Sequence, residues 1–145
     1  MKNLFKKICI ASDHAGFNLK EHIKDFLISK NVSIIDLGPI NENSVDYPDY
    51  AKKVSKRVKS KKSDVGILVC GSGTGMAISA NKTKGIRASV CYNLKSTRLS
   101  RQHNDANIIA IGSRLTKKKT AIKLVSIFFE TKFEGGRHLR RVKKI

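Results

Sequence analysis

The run Cys70-Gly71-Ser72-Gly73-Thr74-Gly75 joins a thiol to a loop of alternating glycines. Glycines let backbone approach a ligand closely. Their N–H groups, with the N-terminus of a following helix, form an anion site. A thiol just before a helix start is in the environment that makes thiolate available, and so could act as a base or nucleophile. Two nucleotide readings fail on spacing. Met76 stands where a dinucleotide fingerprint needs its third glycine, and no carboxylate follows near the end of the next strand. The Gly-Lys-Ser/Thr ending of a P-loop is also missing. A glycine loop by itself also reads as a tight strand-to-helix turn, and Cys70 alone fits equally a base and a small buried apolar residue. Cys9 and Cys91, inside apolar runs, read as the latter.

The histidines are His14, His22, His103 and His138. His14 sits beside Asp13 just past an apolar run, where a site residue is expected. His22 falls among polar helix residues and reads as solvated. His103, in Arg101-Gln102-His103-Asn104-Asp105, could simply cap a helix. Acid–base chemistry near neutral pH nevertheless favours histidine with a tuned cysteine. In the tail, a helical turn after Gly135-Gly136 would put Arg137 and Arg141 on one face at four-residue spacing. Paired guanidinium groups suit a phosphate dianion. Composition alone would make the same stretch a solvated basic end.

These residues need elements to hold them. Phe5 to Ala11 reads as a buried strand. Leu19, Ile23, Phe26 and Leu27 fall at helical spacing and predict a helix over Phe17 to Ser29. Val32 to Leu37 reads as a strand, Asn41 to Pro48 as a polar loop, and Tyr50 to Lys59 as a basic surface helix. Val65 to Val69 is the clearest strand and runs into the glycine loop, which opens a short helix, Met76 to Asn81. Strands over Ile86 to Cys91 and Ile108 to Ile111, with helices over Leu94 to His103 and Thr116 to Phe129, complete the pattern. Alternating strands and helices call for a parallel sheet covered on both faces, an α/β doubly wound fold. Such folds bind ligands at the carboxyl ends of their strands. Asp13-His14, Cys70 to Gly75 and Gly112-Ser113-Arg114 all fall at those ends.

The 145 residues fit one domain, 1–145, able to bury a core without staples. The apolar run near the start ends at Asp13, too short for a secretory signal core, and no run approaches membrane-spanning length. Three widely spaced cysteines without a CxxC pair suggest neither a zinc site nor a disulfide framework, and fit reduced thiols in the cytoplasm. The net charge of +19 supports a nucleic-acid partner or, alternatively, a background of solvated lysines. The spread of the lysines along the chain and the scarcity of aromatics between them favour the second.

Nearly the whole chain resembles the type B ribose-5-phosphate isomerases, a family that also holds galactose-6-phosphate and allose-6-phosphate isomerases. The resemblance rests on Ser12-Asp13-His14-Ala15-Gly16-Phe17, Asp46-Tyr47-Pro48, the Cys70 to Gly75 loop, Asn81-Lys82, Gly85-Ile86-Arg87-Ala88, Ser100 to Asn107, Gly112-Ser113-Arg114 and Glu134-Gly135-Gly136-Arg137-His138, all in order. It implies a Rossmann-like five-stranded sheet and the reversible conversion of ribose 5-phosphate to ribulose 5-phosphate, with neither metal nor cofactor. It further implies homodimers, or dimers of dimers, with sites at the subunit interface.

By the same resemblance, Cys70 is the base that moves the proton between C2 and C1. The N–H groups from Gly71 through Ser72, Gly73 and Thr74 to Gly75 hold the enediolate oxygens, and the Ser72 hydroxyl assists. His103 is the acid that opens the furanose ring, and Asp13 lies near the sugar hydroxyls. His14, Arg137 and Arg141 are phosphate ligands, with Arg114 and His138 as further ones. Tyr47 and Asn104 match substrate-contacting positions. Many relatives carry Thr in place of Ser72, which keeps the hydroxyl. Others lack the loop cysteine and use a Glu further along, where this chain has Ala77 and Ile78. A six-carbon sugar phosphate is the alternative substrate, and a basic nucleic-acid-binding protein the remote alternative.

Overall fold

The computed structural model describes residues 1–145. Five strands, β1 (Ile8–Ser12), β2 (Ile34–Asp36), β3 (Val65–Cys70), β4 (Ala88–Val90) and β5 (Ile108–Gly112), form one sheet. Their order is β2-β1-β3-β5-β4, and every pairing is parallel. The helices are α1 (Phe17–Ser29), α2 (Tyr47–Lys59), α3 (Thr74–Asn81), α4 (Leu94–Asn104), α5 (Lys118–Glu130) and α6 (Arg137–Val142). The expected doubly wound α/β fold is the one observed.

β1, β3 and β5 are buried at every position, which is why they read as continuous apolar runs. On one face, Ile10, Ile67 and Ile109 pack with Ile23 and Leu27 of α1 and Val125, Phe128 and Phe129 of α5. On the other, Cys9, Leu68 and Ala110 pack with Val54 and Val58 of α2 and Met76 and Ala80 of α3. Each Val, Leu, Ile, Phe or Met among them contributes about 1.5–3 kcal/mol by leaving water. No helix is long and apolar enough to cross a membrane.

Boundaries differ from the sequence reading in ways that have local causes. β2 and β4 shrink to three residues each, because they are the sheet's edges. Cys91 lies just past β4, yet is still buried. β1 starts at Ile8, and Phe5 instead sets its ring edge-on against Phe129, 5.9 Å between centroids. α2 begins at Tyr47, because Pro48 occupies a first-turn position, where a missing N–H costs nothing. α3 begins at Thr74, since Gly73 turns the chain with φ +80°. The outcome places the ends of β1, β3 and β5 side by side at the carboxyl edge of the sheet.

Candidate active site

Cys70 is the last residue of β3 and is 4% exposed. Its Sγ accepts a hydrogen bond from the Gly73 N–H at 3.2 Å, so the loop curls over the sulfur. That curl needs the left-handed backbone at Gly73, which a side chain would strain. Farther along, a Cβ at Gly75 would lie 2.9 Å from the Tyr47 ring, so glycine there lets Tyr47 close on the loop. In the first turn of α3 the N–H groups of Gly75 and Met76 have no partner and remain available to an anion. Ser72 is exposed, and its hydroxyl accepts from the Thr74 N–H at 3.3 Å.

Neighbouring strand ends complete the cleft. The Asp13 N–H donates to the Val69 carbonyl at 3.1 Å, and Asp13 Oδ1 accepts from the Gly16 N–H at 2.9 Å. Past β5, the Ser113 N–H donates to the Cys70 carbonyl at 2.8 Å and the Arg114 N–H to the Gly71 carbonyl at 3.0 Å. Ser113 Oγ donates to the Ala15 carbonyl at 2.8 Å, tying the loops after β1, β3 and β5 together. The resulting hollow, about 280 Å³, is lined by Asp13, Tyr47, Cys70, Gly71, Ser72, Gly75, Arg114 and Leu115. It thus brings a thiol, a carboxylate, a hydroxyl and a guanidinium to one opening. Burial pushes the thiols of Cys9 and Cys91 up from their ordinary value, as expected of inert core residues.

The other expected site residues lie elsewhere on the same chain. His14 is next to the cleft in the loop after β1, but does not line it. Its Nδ1 accepts from the Val45 N–H at 3.2 Å, which leaves Nε2 as the donor in the neutral ring. His103 and Asn104 end α4. The His103 ring stacks on His138 of α6, 4.2 Å between centroids and 9° between planes. Glu134 Oε2 lies 3.6 Å from His138 Nε2 and 4.0 Å from His103 Nε2. His138 is 7% exposed; burial, then the neighbouring His103 and Arg137, push its pKa below the ordinary imidazole value. Arg137 and Arg141 are exposed on α6 at the four-residue spacing read from the sequence. Asn104 faces a separate hollow of about 340 Å³ with Asn81, Arg87 and Ile145. That hollow is larger than the Cys70 cleft but holds no acid or base, so size does not mark the site.

One chain therefore carries two clusters. The first holds Cys70, Asp13, Tyr47, Ser72, Arg114 and the glycines. The second, at the α4–α6 junction, holds His103, His138, Arg137 and Arg141. Sequence reasoning placed Ser113 and Glu134 within motifs but gave them no role, and it missed Leu115. The i, i+4 spacing of Glu134 and His138 was a usable signal; the contact of both with His103 arises only on folding. Potential ligand atoms of His103, Glu134 and His138 lie within 4.8 Å of one another. Parallel stacked rings, however, hold their in-plane lone pairs in separate parallel planes rather than aiming them at one tetrahedral centre.

Comparison with known proteins gives this geometry a context. Ribose-5-phosphate isomerase B of Escherichia coli K12 is 45% identical over 140 residues, covering 97% of this chain and 94% of that protein. The structure of Clostridium thermocellum ribose-5-phosphate isomerase B matches with a TM-score of 0.94 at 49% identity, over 95% of this chain and 93% of that one. The Mycoplasma genitalium enzyme, solved with bound ribulose 5-phosphate, matches at 0.90 and 43% identity, over 94% and 91% of the two chains. The model of the Ribose/Galactose Isomerase family matches residues 8–145, and the chain accordingly belongs to that family of aldose–ketose isomerases.

Proposed function

We propose that this protein interconverts ribose 5-phosphate and ribulose 5-phosphate, with Cys70 as the base. The observation that carries the reading is the position of Cys70: its thiol ends a buried strand in a cleft shared with Asp13, Ser72, Arg114 and the start of α3. In the forward direction Cys70 Sγ takes the proton from C2 of the open-chain aldose. The electrons form a C1–C2 double bond, and the cis-enediolate carries its charge on the two oxygens. N–H groups at the Gly71–Gly75 loop and the Ser72 hydroxyl donate to those oxygens, where charge develops. The sulfur then returns the proton to C1, and one hydroxyl proton passes between O2 and O1. Bonds and electrons balance within the substrate.

Ring opening and phosphate binding are assigned to His103 and to His14, Arg137 and Arg141, with Arg114 and His138 as further phosphate contacts and Tyr47 and Asn104 against the sugar. Half of these groups, His103, Arg137, His138 and Arg141, lie in the second cluster. Their separation from Cys70 supports a homodimer in which the α4–α6 cluster of one subunit completes the cleft of the other. The three free, buried cysteines support a place in the cytoplasm.

The test joins a variant to a labelling experiment. Cys70→Ala should lower kcat by about 10²–10⁴ while leaving the melting temperature unchanged. A thiol reagent should inactivate the native enzyme, and ribose 5-phosphate should slow that loss. Turnover by Cys70→Ala close to that of the native enzyme would remove Cys70 from the role. Comparing kcat/KM for ribose 5-phosphate and allose 6-phosphate distinguishes the five-carbon from the six-carbon substrate.

A further inference from the structure

Folding gathers charge that the sequence spreads out. Lys6 and Lys7 precede β1, and Lys53, Lys56, Arg57 and Lys62 lie on and just after α2. Two shallow grooves adjoin there. Lys6, Lys7, Arg57 and Lys62 line one, of about 260 Å³. Lys53, Lys56, Arg57 and Lys62 line the other, of about 300 Å³. Because Arg57 and Lys62 belong to both, the six cations form one continuous surface. None of them is in an ion pair; the paired cations of this protein are Lys20, Lys24, Arg87 and Arg101, with His103 and His138 beside Glu134. The Asp64 carboxylate spends Oδ2 on the backbone N–H groups of Lys6 and Lys7 at 2.9 Å each. It holds the two lysines in place without neutralising their side chains.

Unpaired cations this close repel one another and draw counterions from solution. A basic last turn on α2 complements the helix dipole, but that accounts for a residue or two. It does not account for Lys6, Lys7 and Lys62, which lie outside the helix. The grooves are open and carry no buried donor, so they are not built for one small anion. A phosphodiester backbone fits them, because it presents a row of charges and gains by releasing its own condensed counterions. Anionic lipid fits less well: amphipathic membrane-binding helices set large apolar side chains beside their lysines, whereas the only large apolar residue exposed on α2 is Tyr47, at its far end.

We propose that this surface docks the phosphate backbone of a nucleic-acid duplex, without reading its sequence. It runs from the amino ends of β1 and β3 along α2 and past the edge strand β2, and it shares no lining residue with the Cys70 cleft, so docking leaves the isomerase site open.

The test measures binding of a fluorescently labelled, mixed-sequence duplex by anisotropy, with DNA and RNA arms. Binding should persist at about 150 mM salt. It should weaken with salt at a log–log slope of roughly −5 if six phosphates are contacted. The variant K53E/K56E/K62E should bind at least about tenfold more weakly, with unchanged melting temperature and unchanged isomerase activity. The comparison variant K118E/K119E/K123E makes the same charge change on α5, across the sheet, and should bind within about twofold of the native protein. Three results would overturn the proposal: no binding at physiological salt, equal loss in both variants, or retention on anionic vesicles with none on nucleic acid. Isomerase activity is read separately, so failure here leaves the assignment of Cys70 untouched.

Discussion

Cys70, Cys9 and Cys91 are nearly equally buried, and only Cys70 opens onto a cleft. What separates them is position along a strand: Cys9 lies inside β1 and Cys91 beyond the short β4, whereas Cys70 ends β3 under a loop of N–H groups. The same sensitivity to place governs His138. Its pKa is held below the ordinary 6.5, first by burial and then by His103 and Arg137. The folded chain therefore binds this proton less readily than the unfolded chain. The stability contributed by neutral His138 is present above about pH 6.5 and is lost as pH falls through that value. Melting temperature should decline between about pH 7 and pH 5, and His138→Asn should flatten the decline. Asp36 and Glu21 are lowered as well, though by a different balance: burial opposes their ionisation, but hydrogen bonds from Lys20 and Lys24 outweigh it. Their contribution is lost only at more acid pH, so the two windows separate in a titration. An unaltered pH profile in His138→Asn would remove that histidine as the source.

The elements divide by burial into those that the residue pattern reveals and those that it does not. β1, β3, β5 and the helix over Phe17–Ser29 were legible, because continuous apolar runs and 3.6-residue periodicity both follow from being covered by neighbours. The ends of β2 and β4 were not, since edge strands are half exposed and their length is set by pairing. Nor was the close approach of α1 to β3. Gly16 meets Val69 there, and a Cβ on Gly16 would overlap the Val69 carbonyl. Gly16→Ala must push the start of α1 away from the sheet, and with it the Asp13 carboxylate that Gly16 anchors. We expect a loss of about 1–3 kcal/mol in urea unfolding, together with a fall in turnover as the cleft loses its wall. Full stability with full activity would show that the loop moves freely.

At the scale of the molecule, the second cluster raises the question of which cleft it serves. If sites are shared across a two-fold axis, a chain lacking Cys70 and a chain lacking His103 should rescue each other. Homodimers of either Cys70→Ala or His103→Ala would have two broken sites. Mixed dimers would have one intact and one doubly broken site. Random exchange should then restore about a quarter of native activity. No recovery after confirmed exchange would place each site within a single chain. The sequence by itself determined the fold class, the order of strands and helices, the glycine loop and the residues able to do acid–base chemistry, because these depend on local conformational preference and on the period of burial. Only the tertiary structure decided that Cys70 joins Asp13, Tyr47 and Arg114 while His103 joins Glu134 and His138. It alone also decided that lysines from two distant segments share one face. Those groupings come from the order β2-β1-β3-β5-β4. Crossovers bring together segments far apart in the chain, and no local pattern encodes which loop will lie beside which.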